Sequence, residues 1–113
     1  MSKLDKVINY TLNNNGGTFN KNMDNVNSGY VVAYKTLYIM KHLYYNDVKI
    51  NLMKAFEEVQ ERNNLVVGTR VYKNNLYIEL SKIYDNIEDA LKVARKNNEY
   101  SIYDLTNNKE IIL

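Results

Sequence analysis

Apolar residues recur along the chain with two different periods, and the switches between them mark out the elements. Leu4, Val7, Ile8 and Leu12 share one stripe at helical spacing. Ser2 stands where an N-cap would, with Asp5 three residues on, so the first helix is expected from about Lys3 to Asn13. Asn13-Asn14-Asn15-Gly16-Gly17 stops it, because Asn and Gly tolerate positive φ. Thr18-Phe19-Asn20 reads as a short strand and Lys21 to Ser28 as a polar loop. Gly29 then opens Tyr30-Val31-Val32-Ala33-Tyr34, rich in strand formers. Thr36 to Met40 is expected to be a second strand, paired with the first across Lys35. A second helix is predicted from a cap at Asn46 or Asp47 to about Asn63. Its core stripe is Val48, Leu52, Ala55, Phe56 and Val59.

The second half continues in the same way. Leu65 to Tyr72 and Leu76 to Ile83 are strand-like and flank a turn at Lys73-Asn74-Asn75, which predicts a hairpin. In its second arm Leu76, Ile78 and Leu80 alternate with Tyr77, Glu79 and Ser81, so one face is buried and the other wet. Asn86 caps a third helix with Asp89 at the capping-box position, and Ile87, Ala90, Leu91 and Ala94 turn inward. Glu88 and Asp89 at its start, and Lys92, Arg95 and Lys96 toward its end, complement the helix dipole. Tyr100 to Leu105 and Lys109 to Leu113 close the chain as a short hairpin around Thr106-Asn107-Asn108. The expected fold is α+β: a single compact domain over residues 1–113, with a largely antiparallel sheet and about three helices packed on it.

Composition narrows the setting. A chain of 113 residues, 45% of them apolar and 25% charged, is long enough for one core and ordinary for a globular domain. It has no cysteine, which removes disulfides and thiolate metal sites and favours a reducing cytoplasm. No apolar run approaches the roughly 18 residues of a membrane span, and Met1 to Lys6 lacks the apolar core of a signal peptide. The expectation is therefore a cytoplasmic protein with no membrane partner. A net charge of +2 with scattered Lys and Arg supports nucleic-acid binding only weakly. Heavy use of Asn, Tyr and Lys reads first as the codon bias of an A- and T-rich genome. Some of the eleven tyrosines can nonetheless form a binding surface.

Enzyme chemistry finds little support. His42 is the one histidine and lies in an apolar, tyrosine-rich stretch, and no serine sits in a Gly-x-Ser-x-Gly turn. Asp85, Glu88 and Asp89 have the spacing of a helix start rather than of a metal site. Glu57, Glu58 and Glu61 share a solvated helix surface, while Glu79 stands on the polar face of a strand. No phosphate-cradling glycine motif is present. The chain is read as a non-enzyme with no catalytic residue, cofactor or metal. Alternation puts Arg70, Tyr72 and Tyr77 on the wet face of the hairpin beside Lys73, and this is the first candidate contact surface. Tyr30 and Tyr34, on the earlier strand, are the second.

One run of sequence carries a resemblance. Val66-Val67-Gly68-Thr69-Arg70-Val71-Tyr72-Lys73-Asn74-Asn75-Leu76-Tyr77-Ile78-Glu79-Leu80-Ser81 is followed by Glu88-Asp89-Ala90-Leu91, Ser101-Ile102-Tyr103-Asp104-Leu105 and Glu110-Ile111. Together these resemble a pattern in small accessory proteins of phages, plasmids and integrated elements. Gly16 to Phe19 and Ser28 to Tyr30 also look similar, so the resemblance covers most of the chain, although its pieces are specific only in combination. Arg70 stands where the pattern usually carries Trp, which changes the chemistry of any contact made there. The resemblance implies no catalytic signature. It implies the setting of a mobile element and an anti-defence role of the anti-CRISPR or antirestriction type.

Three functions follow as expectations. The first is a stoichiometric inhibitor whose partner is a host defence protein, a nuclease or effector complex. The second is a nucleotide-signal or small-molecule sponge, which would need a concave, pre-formed site with Arg and aromatic walls. The third is a small nucleic-acid-binding regulator, which would bind in a salt-sensitive way. Apolar Ile111, Ile112 and Leu113 on an edge strand also make a homodimer a candidate arrangement.

Overall fold

In the computed structural model, which describes residues 1–113, the first helix is set by its cap. Helix α1 (Lys3–Asn14) starts from a capping box: the Ser2 hydroxyl accepts from the Asp5 N–H, and the Asp5 carboxylate accepts from Ser2. Leu4, Val7, Ile8 and Thr11 are its buried face, whereas Leu12, expected in the stripe, is half exposed. The helix ends at Asn15, which is left-handed with a φ of 58°. Strand β1 (Gly16–Phe19) follows at once.

Strand β2 (Tyr30–Met40) is a single run of 11 residues, not two short strands paired across Lys35. Its length is taken up by two register shifts against β4, between Ala33 and Lys35 and between Thr36 and Tyr38. Each shift inserts one extra residue, which bends and twists the strand instead of breaking it. Helix α2 (Tyr45–Val59) begins and ends earlier than the sequence suggests. Its N-cap is Tyr44, with no side-chain cap, and Asn46 and Asp47 lie inside the first turn. The buried stripe Val48, Leu52, Ala55, Phe56 and Val59 is the expected one.

Strands β3 (Leu65–Tyr72) and β4 (Asn75–Tyr84) form the central hairpin. Lys73 and Asn74 alone make the turn, with φ values of 50° and 66°, the two-residue geometry that matches strand twist. Helix α3 (Ile87–Lys96) is capped by Asn86, whose side chain accepts from the Glu88 N–H at 2.7 Å. Ala90 and Ala94 are buried, while Ile87 lies at the surface. Strands β5 (Ser101–Asp104) and β6 (Lys109–Ile112) close the sheet.

The six strands form one sheet in the order β1-β3-β4-β2-β5-β6, and every neighbouring pair is antiparallel. All three helices pack on the same face. The buried residues of α1 and α2 meet Phe19, Leu65, Val67, Leu76, Ile78 and Leu80. Ala90 and Ala94 of α3 meet Val32 and Ile102, with Tyr30 and Tyr84 at the margin. Leu76, Ile78, Leu80 and Tyr84 alternate along one strand, so these two clusters sit side by side under one helix layer. A Cα radius of gyration of 13.5 Å matches the roughly 13 Å of a compact chain of this length. No helix is long and apolar enough to cross a membrane.

Candidate functional site

The opposite face of the sheet carries no helix. Its residues follow from the registers: Ile39, Tyr77, Arg70 and Gly16 form one cross-strand row. Thr36, Glu79, Gly68 and Thr18 form the next. The curl of the sheet makes this face concave. Together with the segment Asn25-Val26-Asn27 and the β5–β6 turn it outlines a trough of about 850 Å³. Val31, on the trough floor, is only 9% exposed although no helix covers it, so the curl itself shelters the floor.

At one end of this face the hairpin gathers four of the residues singled out by sequence. The Arg70 guanidinium lies 4.3 Å from the Tyr77 ring centre and 5.8 Å from that of Tyr72. The Lys73 ammonium lies 5.3 Å from the Tyr72 ring. Arg70 Nε is also 3.4 Å from Glu79 Oε1, and the Thr36 hydroxyl donates to the other Glu79 oxygen at 3.4 Å. Arg70 is thus steadied by two rings and one carboxylate while half of its side chain stays in solvent. Each exposed cation–π contact is worth about 0.5–1 kcal/mol, enough to restrict the guanidinium but not to hide it. Exposed Ile39 extends the corner with an apolar side chain.

Tyr30 and Tyr34 are elsewhere. Tyr30 faces the helix side, opposite Tyr84, and packs at the margin of the α3 cluster. Tyr34 is the extra residue of the first bulge. Its ring lies 5.0 Å from Lys82 Nζ and its hydroxyl accepts from Arg62 Nη1 at 3.2 Å. The two tyrosines therefore do not join the Arg70 corner. Sequence reasoning in turn missed Ile39, Gly68, Ser101, Tyr103 and Glu110 as members of the bare face. Alternation within β2 does point to Ile39: the two bulges each shift the parity by one residue and cancel, so Ile39 shares the face of Val31 and Ala33, and only Lys35 and Thr36 between them are inverted. The trough itself depends on pairing between distant strands.

The remaining polar groups are accounted for locally. His42 is exposed and stacks on Tyr44 at a ring separation of 5.9 Å. No three His, Asp or Glu side chains converge as a metal site would require. Every buried side-chain nitrogen and oxygen has a partner. Two carboxyls are held below the usual carboxylate range, and neither is at the corner. Asp104 is lowered chiefly by its hydrogen bond from the Asn107 side chain, at 2.8 Å, against the opposing effect of burial. Asp5 is lowered chiefly by the Ser2 hydroxyl, with help from Lys49, and also accepts from the Tyr45 hydroxyl. Both tie structure together: Asp104 fixes the β5–β6 turn and Asp5 joins α1 to the start of α2.

No family model, curated protein or solved structure matches the chain.

Proposed function

We propose that this chain is a non-catalytic binding protein of a mobile genetic element, which inhibits a host defence nuclease by stoichiometric protein binding, in the manner of an anti-CRISPR or antirestriction protein. The observation that carries the binding part is the Arg70, Tyr72, Lys73 and Tyr77 corner on a sheet face that no helix covers. Arg and Tyr are the residue types that dominate protein contact energies, and here they are clustered and mutually braced, with Arg70 and Tyr72 exposed and Tyr77 half-buried beneath the guanidinium. The mobile-element setting rests on the sequence resemblance. The dispersed charge speaks against mimicry of DNA, which needs a strongly acidic surface.

The test is a tagged pull-down from a bacterial host that carries defence systems, with bound protein and nucleic acid both identified. One defence nuclease recovered at near-equal amount, and lost with Arg70→Glu, is the expected result. Recovery of only a nucleotide or nucleic acid would overturn the reading.

A second reading, a nucleotide-signal sponge, is favoured by the trough. Its volume of about 850 Å³ lies within the range of small-ligand sites, and Arg70, Tyr10 and Tyr103 line it. A melting screen against nucleotides separates the two. A ligand at 100 times its Kd adds about 2.7 kcal/mol of stability, whereas a pure protein-binding surface leaves the melting point unchanged.

A further inference from the structure

The two edges of the sheet are finished differently. At the β1 edge Asn25 bridges Phe19, and the Val26 N–H donates to the Thr18 carbonyl at 2.9 Å, so a neighbouring segment seals the strand. At the other end of the order, β6 has no strand on its far side. In an antiparallel ladder the backbone groups of successive residues face alternate neighbours. The Leu113 N–H donates to the Tyr100 carbonyl at 3.0 Å, so Leu113, Ile111 and Lys109 turn their backbone toward β5. Glu110 and Ile112 therefore point their N–H and carbonyl groups outward. Large apolar side chains surround this open row: Tyr100 is 71% exposed, Ile112 54% and Leu113 41%. An open row of backbone groups with apolar flanks is a template for another strand.

We propose that β6 pairs antiparallel with β6 of a second copy of this chain, about a two-fold axis at Ile111, so that the two six-stranded sheets run on as one. The register follows from geometry. Residues directly opposite each other point to the same sheet face, so Glu110 cannot stand opposite Ile111 of the second copy. Glu110 opposite Ile112 of the second copy is the register that pairs both outward residues, and it closes four hydrogen bonds around the axis. Sliding so that Glu110 meets Glu110 sets like charges face to face. That slide also puts Ile112 against Asn108, whose φ of 52° lies outside a strand. In the proposed register Ile111 meets its own copy on the helix side. Ile111 already packs against the cluster of Val32, Ala90, Ala94 and Ile102, so the apolar clusters of the two copies become continuous. This inference is independent of the function proposed above.

The chain has no cysteine, so one introduced thiol reports the register without background. Ile111 and its copy form a non-hydrogen-bonded pair with Cα atoms about 4.5–5.5 Å apart, within disulfide range. The two Glu110 Cα atoms lie about 8 Å apart, beyond it. The expected result is that wild type sediments at about twice 13.3 kDa. Under mild oxidation Ile111→Cys forms a covalent dimer and Glu110→Cys does not. Glu110→Pro, which removes an outward N–H and keeps the backbone hydrogen bonds to β5 while giving up the bond from the Ser101 hydroxyl, shifts the protein to monomer, and Glu110→Ala, which gives up that bond alone, does not. Sedimentation of wild type as a monomer at hundred-micromolar concentration would overturn the proposal, and so would cross-linking through residue 110 rather than 111. If Ile111→Cys does not fold by circular dichroism, the wild-type mass and the Pro variant still decide it.

Discussion

The Arg70 guanidinium lies 4.3 Å from the centre of the Tyr77 ring, directly across the β3–β4 ladder. The pair sits on the helix-free face, so it contributes little to the core and much to what that face presents. Arg70→Glu and Tyr77→Ala are each expected to weaken partner binding by about 2 kcal/mol or more, roughly 30-fold, as central Arg and Tyr contacts do. Unfolding free energy should shift by only about 0.5 kcal/mol for Arg70→Glu, the scale of a surface change, and by about 1 kcal/mol for Tyr77→Ala, which removes a half-buried ring from a central strand. Calorimetric titration against the partner recovered in the pull-down, beside urea denaturation of each variant, checks both halves. Unchanged binding in both variants would remove the corner from the interface.

Inside the fold, the hydroxyls of Thr11 and Thr69 meet at 2.7 Å where α1 crosses β3, and both residues are buried. Thr69→Val leaves the Thr11 hydroxyl without its partner, and a destabilisation of about 1–3 kcal/mol is expected. Changing both residues to Val removes the unpaired group and should recover part of that loss. A double-mutant cycle in urea reads the coupling, and strictly additive losses would count against it.

Two glycines should respond in opposite directions. Gly68 sits in the centre of β3 on the bare face, its φ is not positive, and an added Cβ comes no nearer than 3.8 Å to the Glu79 carbonyl. Gly68→Ala is expected to stabilise by about 0.4–1 kcal/mol, because it restricts the unfolded chain without strain. Gly16 has a φ of 141°, and a Cβ there runs into the Thr69 carbonyl. Gly16→Ala is expected to cost about 1–3 kcal/mol. Thermal denaturation of the two variants side by side is the check.

Acid should lower the stability of the protein through Asp104 and Asp5. Both carboxyls are held below their ordinary value in the fold, and in the unfolded chain they return to about 3.9. The folded state therefore binds fewer protons. Its advantage is complete above the unfolded value and is lost as pH falls through the folded one. Melting temperature is expected to be level from neutral pH to about 5 and to drop below that. Asn107→Ala removes the largest influence on Asp104, so the Asp104 carboxyl should then titrate at higher pH by NMR. An unmoved titration would assign the effect to other neighbours.

The β3–β4 turn offers a local test. Asn74 has a φ of 66°, which Asn tolerates and Gly adopts without cost. Asn74→Gly is expected to keep or raise stability, by up to about 1 kcal/mol, while Asn74→Val should lower it by about 1–2 kcal/mol. Denaturation midpoints of the pair decide it.

Local chemistry determined much of this fold, and the sequence alone carried it. Ser2 with Asp5, and Asn86, capped their helices as read. The stripes of α2 and of β4 buried the residues their periods implied. These features depend on neighbours within a few positions, where sequence and geometry are nearly the same information. The misreadings fell where distant parts decide. Leu12 has the right spacing for the core but is half exposed, and Thr11 is buried instead, paired with Thr69 of β3. The break expected at Lys35 is absent because pairing with β4 absorbs extra residues as bulges. Those bulges also alter which side chains of β2 share a face. The Arg70, Tyr72, Lys73 and Tyr77 corner was legible because one hairpin supplies it all. Lys109 to Leu113 also read as an edge strand, from its apolar residues at a strand-forming end. The trough was not legible, since it exists only through strand order, and which face stays uncovered is set by how distant strands pair and where the helices pack.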